Sequence, residues 1–384
     1  MSNPSPSFGR QLLYTVTILL SLIVIATIIG EAVVRVKFAD IYTKPPLVPP
    51  YDTAEKDDYF GWVMRPNYTW TGDMKDANHE PYPVSIHYDE NGFKAFGDPA
   101  STKPKLLFLG DSYTASIEAS NERTFYNVIA DSLGVEVFAY GHAGYGTLQE
   151  YLMLDKWVDK IKPDLVVWET CSNDFIDNYP QLEIACGYKV GQRRPYLDRD
   201  GTIFYRRPLN LWQRLKEPIW FYRWLNDRWD MVKFNATKQE KKSGEYYIAN
   251  EKREYRPFNE AVKRTEKIVS MIRKRLPKGT KLIAFSADTY EPQVGEMKRI
   301  FEENSFPFLE DPAQGLEAME VEQKISLKAV DHYHWNEKGQ AVIAAGLLPH
   351  LKETLGMNPQ IPSDSTALNP RTVIPEGNKT QSSQ

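Results

Sequence analysis

The sequence predicts a doubly wound α/β domain built on a central parallel sheet, and two observations carry that expectation. Lys105–Leu109 (KLLFL), Val135–Tyr140 (VEVFAY), Asp164–Thr170 (DLVVWET) and Lys281–Ala287 (KLIAFSA) are continuous apolar runs of strand length. Strands covered on both faces read this way, whereas strands with one wet face alternate. Between and after these runs lie longer segments of helical spacing, at 121–133, 147–161, 259–275, 292–304 and 336–354. In the second of them Tyr151, Leu154, Val158 and Ile161 fall on one face, and Gly134 stands where the first should stop. Strand alternating with helix places a parallel sheet between helical layers, with chemistry collected at the carboxyl ends of the strands. No fixed-period repeat is visible, which sets aside solenoids and propellers.

Composition narrows the function classes. The 384 residues hold 47 Lys and Arg against 51 Asp and Glu, a net charge of −4, so a chain-wide nucleic-acid footprint is disfavoured. The only cysteines, Cys171 and Cys186, leave room for one bridge and none for a four-thiolate zinc site. No cofactor is implied, since the GxxxxGK[ST] and HExxH patterns are both missing.

The ends differ from the middle. No residue from Gln11 to Gly30 is charged, and Leu12–Ile29 reads LLYTVTILLSLIVIATII. A helix there rises ~30 Å, the thickness of a bilayer core. The run is longer than a secretory h-region and lacks a good small-x-small site, so residues 11–30 are expected as an uncleaved anchor in the lipid bilayer after a short tail, 1–10. Arg10 lies before it and Arg35 and Lys37 after it, so the positive-inside count does not orient it. Residues 31–56, containing IYTKPPLVPPYDTAEK, are expected as a proline-rich spacer. Residues 357–384 lack apolar periodicity and are expected as a disordered tail. Inside the domain at 57–356, the stretch 186–256 interrupts the alternation. It holds 17 Lys and Arg against nine Asp and Glu, with Trp212, Trp220, Phe221, Tyr222, Trp224 and Trp229. Two readings stay open: a cap over the strand ends that binds an anionic or sugar-like substrate or lipid headgroups, or an insertion whose aromatics form its own core.

Four loops at strand ends carry candidate chemistry. Gly110-Asp111-Ser112-Tyr113-Thr114 follows the first strand and offers Ser112 as a nucleophile, or as a turn residue capping the next helix. A serine hydroxyl needs a base. Asp331-His332-Tyr333-His334 precedes the last helix, and an Asp three residues before a His can reach its Nδ1–H, leaving Nε2 free to take a proton. Asp331 is therefore the expected orienter and His334 the base; His332 is too close to Asp331 in sequence, and Asn336 is a candidate helix cap. For an oxyanion, Gly141-His142-Ala143-Gly144-Tyr145-Gly146 offers a backbone amide and Cys171-Ser172-Asn173-Asp174 a side-chain amide, although either loop alone is compatible with ordinary turn geometry.

These motifs resemble those of the SGNH (GDSL-type) hydrolase superfamily, with Ser112 in GDSYT, Gly144 in GHAGYGT, Asn173 in SND, and Asp331 with His334 in DHYH, in family order. Phe60-Gly61-Trp62, Arg65-Pro66-Asn67 and Asn91-Gly92-Phe93 are similar to the leader of its membrane-anchored bacterial members. The resemblance implies a flavodoxin-like three-layer α/β/α fold and a Ser112-His334-Asp331 triad, with an oxyanion hole of the Ser112 amide, the Gly144 amide and the Asn173 side chain. It implies a serine esterase acting on acylated small molecules or polysaccharide, anchored in the bacterial inner membrane with its catalytic domain outside the cytoplasm. Two departures, Ala139 or Tyr140 at a usual Asn and Cys171 at a usual Gly, bear on loop geometry and substrate. An O-acyltransferase using the same triad and a non-catalytic envelope module binding carbohydrate or a partner are the alternatives.

Overall fold

A computed structural model describes residues 8–38, 49–187, 193–207, 218–237 and 242–357. Residues 39–48 of the expected spacer, and the expected tail from 358 onward, lie outside the described residues; the start of that spacer, 31–37, instead continues the first helix, and 54–56 belong to a strand. The described elements fall into two units: one is built on the helices Phe8–Lys37 and Trp220–Thr237, and the other holds the remaining elements.

In the first unit the helix Phe8–Lys37 is long and apolar enough to cross a membrane by length and composition. The hydroxyls of Thr15, Thr17, Ser21 and Thr27 donate back to carbonyls one turn earlier. This satisfies polar groups that lipid could not. Near its end, Glu31 accepts the Phe221 N–H at 2.8 Å and Arg35 donates to Glu31 at 2.7 Å. The Arg35 guanidinium lies 4.6 Å from the centre of the Trp220 ring.

The second unit contains the sheet. Two antiparallel pairs come first: β1 (Ala54–Asp57) with β2 (Gly61–Met64), and β3 (Thr69–Lys75) with β4 (Pro81–His87). Next come β5 (Ala95–Phe96), β6 (Lys105–Gly110), β7 (Glu136–Gly141) and β8 (Leu165–Thr170). A hairpin of β9 (Arg194–Leu197) and β10 (Ile203–Arg206) precedes β11 (Lys281–Ser286) and β12 (Phe308–Leu309). The six-stranded sheet runs β12-β11-β8-β6-β7-β5, parallel except for β5. Counting only the parallel strands in chain order, this is the doubly wound order 2-1-3-4-5, and the chain reverses direction across the sheet between β6 and β8.

Alternate side chains of each strand feed opposite faces. Leu107, Leu109, Val166, Trp168, Leu282 and Ala284 belong to one core, together with the helices Thr147–Ile161, Arg256–Arg275 and Gln293–Glu303. Leu106, Phe108, Leu165, Val167, Ile283 and Phe285 belong to the other, with Phe125–Leu133, Asp311–Gln323 and Glu337–Leu355. Burial on both sides explains the unbroken apolar runs.

The sequence expectation of one helix over 121–133 is corrected. Asn121–Arg123 is a 3₁₀ turn, Thr124 is extended, and the helix starts at Phe125. It stops at Gly134, whose left-handed φ of 66° lets its N–H reach the Ala130 carbonyl at 2.8 Å. Cys171 and Cys186 are both free thiols, so the bridge left open by the sequence is not formed. The helix Asp311–Gln323 was not anticipated, because only Pro312, Ala313 and Leu316 of it are buried and no stripe results. The segment expected as a single insertion is shared between the units. Arg194–Leu197 is wholly buried in the sheet unit, while Trp220, Phe221, Tyr222 and Trp224 lie on a helix of the other.

Candidate active site

Ser112, Gly144 and Asn173 follow β6, β7 and β8, which flank the reversal of strand order. Open α/β sheets bind ligands outside the strand ends at such a point. Ser112 opens a one-turn helix, Ser112–Ala115, whose cap is Asp111: its Oδ1 accepts the Tyr113 N–H at 2.9 Å. That turn passes so close to β7 that a Cβ on Gly141 would stand 2.5 Å from both the Asp111 carbonyl and the Ala115 nitrogen, so only glycine fits.

The partners come from the other end of the chain. His334 Nε2 lies 2.8 Å from Ser112 Oγ, and His334 Nδ1 lies 2.5 Å from Asp331 Oδ2. Asp331 Oδ1 also accepts the backbone N–H groups of Tyr333, at 2.9 Å, and His334, at 3.1 Å, and so shapes the turn that presents the imidazole. Packing fixes the loop. The Tyr113 ring sits 5.0 Å from the imidazole and 4.6 Å from the buried Trp335 ring, and its hydroxyl donates to the Tyr333 carbonyl. Asn336 caps the last helix by accepting the Lys338 and Gly339 N–H groups, as the sequence leads one to expect. His332 makes no contact with Ser112; its N–H donates to the Ala329 carbonyl.

Sequence reasoning missed Glu118. Its buried carboxylate approaches His334 Nδ1 to 3.9 Å, on the same ring edge as Asp331. Burial pulls the imidazole pKa down, but the charges of Glu118, Asp331 and Asp111 outweigh it and raise it to about 9. Burial opposes ionisation of Asp331, and the His334 hydrogen bond overcomes it, keeping that carboxyl below its ordinary value. Glu118 lies six residues after Ser112 in no recognisable pattern, so no sequence signal marked it. The atoms of Glu118, Asp331 and His334 are close enough to share an ion. The Nδ1 edge is already engaged by Asp331 at 2.5 Å.

The two loops expected to supply oxyanion donors differ in their hydrogen bonding. Gly144 has φ +73°, and neither its N–H nor that of Ser112 has an acceptor among the described residues. The Asn173 amide is already engaged: Nδ2 donates to Asp111 Oδ2 at 3.3 Å and Asp177 Oδ2 at 3.2 Å. Beneath Ser112, Glu169 Oε2 accepts the Asp111 N–H at 3.0 Å and the Thr114 hydroxyl at 3.1 Å. Burial first, then the charges of Asp111 and Asp174, push the Glu169 carboxyl well above its ordinary range. A shallow cavity beside Tyr113 is lined by Asp288, Tyr290, Glu317, His332 and Tyr333, with the Tyr290 and Tyr333 rings half exposed.

Residues 106–216, from β6 past β10, match the family model described as GDSL-like Lipase/Acylhydrolase. Residues 106–216 are thus similar to a GDSL-like lipase/acylhydrolase domain, which supports an ester-hydrolysing enzyme. No curated protein matches the chain. Among solved structures it is similar to a carbohydrate acetylesterase family member from Sinorhizobium meliloti, at 14% identity over 66% of this chain and 100% of that one, TM-score 0.35. It is also similar to the psychrotrophic esterase EstA from Pseudoalteromonas sp., at 11% identity over 66% and 98%, TM-score 0.37. A catalytic mutant of Axe2, an acetylxylan esterase from Geobacillus stearothermophilus, matches at 14% identity over 65% and 94%, TM-score 0.35.

Proposed function

We propose that this enzyme is a membrane-anchored serine esterase in which Ser112 attacks the acyl carbonyl, His334 is the base and Asp331 orients it. The observation that carries the reading is the unbroken chain Ser112 Oγ, His334 Nε2, His334 Nδ1, Asp331 Oδ2, with steps of 2.8 and 2.5 Å. As Oγ bonds to the carbonyl carbon, its proton passes to Nε2 and the carbonyl oxygen takes up negative charge. The Ser112 and Gly144 amides would hold that oxyanion. Asn173 would join them by turning one N–H away from Asp111 or Asp177. The imidazolium then protonates the departing alcohol, and a water activated by the same histidine releases the acid.

The apolar run 11–30 would hold residues 57–356 at the membrane, facing the periplasm or exterior. The half-exposed Tyr290 and Tyr333 rings, in the cavity beside Tyr113, offer faces on which an acylated envelope carbohydrate would stack. The test is hydrolysis of p-nitrophenyl acetate by the full chain in detergent. Ser112→Ala is expected to lose activity to background, and a Ser112→Ala protein with full activity overturns the proposal.

A further inference from the structure

We propose that Arg194, acting with Trp62 and Asp177, is a positioning residue that holds the two anion-binding loops in register. The proposal rests on the reading of Ser112 as nucleophile. The Gly141–Gly146 loop contains three glycines, and its working residue, Gly144, has a left-handed φ and no side chain to pin it. An oxyanion hole contributes only if its donors are aimed before charge develops. Something outside the loop must aim them.

The structure supplies that support on both sides of Gly144. A peptide group is planar, so whatever fixes the Ala143 carbonyl fixes the Gly144 N–H on the same plane. Trp62 Nε1 donates to the Ala143 carbonyl at 3.3 Å. Arg194 Nη2 donates to the Gly144 carbonyl at 2.9 Å, fixing the next plane, and its guanidinium lies 4.9 Å from the centre of the Trp62 ring. The same guanidinium reaches the other loop. Nη1 meets Asp177 Oδ1 at 2.7 Å and the Asp177 carbonyl at 3.2 Å, while Asp177 Oδ2 accepts from Asn173 Nδ2 at 3.2 Å. One side chain therefore couples the backbone donor after β7 to the side-chain donor after β8.

Arg194 is fully buried, and a buried cation costs several kcal/mol to desolvate unless well matched. Asp177 and Glu183 match it, with Glu183 at 3.7 Å and itself held by the Tyr196 hydroxyl at 2.6 Å. A planar fork is needed because the Gly144 carbonyl accepts from Nη2 and two Asp177 oxygens from Nη1, with Glu183 in ion-pair range of Nε, and a lysine would present only a point charge.

The test compares Arg194→Lys, Asp177→Asn and Trp62→Phe with wild type. Active sites are counted by burst titration with p-nitrophenyl acetate or by stoichiometric fluorophosphonate labelling. Arg194→Lys is expected to lower kcat per titrated site by about 10- to 100-fold, the scale of a weakened oxyanion donor. KM should stay within about threefold, and the pH dependence of kcat/KM should not move, because His334 is untouched. Trp62→Phe should cost about tenfold in kcat, losing the indole N–H and part of the ring that faces Arg194. A purely structural role would reduce the number of titratable sites and leave kcat per site within twofold of wild type; that result overturns the proposal. If Arg194→Lys yields no soluble protein, the near-isosteric Asp177→Asn decides, by the same loss or by an unchanged kcat per site. Wild type that takes no label at Ser112 defeats the underlying reading instead, which separates the two failures.

Discussion

Asp331 and Glu169 are both carboxyl groups placed beside the Ser112 turn, and the protein treats them oppositely. Asp331 is about two-fifths exposed and faces an imidazole, and it is held below its ordinary pKa. Glu169 is sealed under the turn with Asp111 and Asp174 for neighbours, and burial with their charge drives it well above its ordinary range. Surroundings rather than residue type set the protonation state. The ionised carboxylate is the one able to stabilise an imidazolium. Glu169, which burial pushes toward its neutral form, acts as a hydrogen-bonding spacer that holds the Asp111 amide and the Thr114 hydroxyl.

The contrast can be broken most forcefully at the reacting groups. Ser112→Ala and His334→Ala should each lower kcat/KM for a short-chain ester by on the order of 10⁴-fold or more, and Asp331→Asn by about 10³- to 10⁴-fold. Steady-state rates normalised to folded protein would check this; equal losses at Asp331 and Glu169 would erase the distinction.

A finer effect concerns Glu118. His334 must be neutral to accept the Ser112 proton, so with its pKa near 9 the value of kcat/KM should climb about tenfold per pH unit up to that point. Glu118→Gln removes a negative charge 3.9 Å from Nδ1 and should shift this limb about one unit toward acid. Activity near pH 7 should then fall less than the plateau does, or even rise. A pH–rate profile superimposable on wild type would show that Glu118 does not act on the imidazole.

The smallest effect should come from Glu169→Gln. A carboxyl that its surroundings push toward the neutral form should lose little by becoming an amide, and the remaining oxygen still accepts from Asp111 and Thr114. Changes of less than about threefold in kcat and about 1 kcal/mol in stability are expected, read by kinetics and urea unfolding. A collapse of activity would mean that Glu169 works ionised.

What the sequence revealed, and what it hid, follow from range. β6, β7, β8 and β11 were readable because two-sided burial leaves a local signature, an unbroken apolar run. Ser112, Gly144, Asn173 and the Asp331–His334 pair could be nominated as candidates because each sits at the end of such a run or inside a short local pattern. β5 and β12 were not, since two residues show no period and are held only by their partners β7 and β11. Glu118, Trp62 and Arg194 were hidden for the same reason. Arg194 was one of 17 cations in a segment read as a cap or a satellite core, and only the folded chain brings it beneath Gly144. The Asn173 amide was expected as an oxyanion donor, but its bonds to Asp111 and Asp177 depend on a carboxylate cluster that no local pattern announces.

The most direct measurement is the site and pH dependence of fluorophosphonate labelling, read by mass spectrometry of the modified peptide. A single adduct on Ser112 is expected, forming faster as pH rises toward about 9 and lost in His334→Ala. An adduct on another residue, or Ser112 labelling at the wild-type rate without His334, would contradict the account.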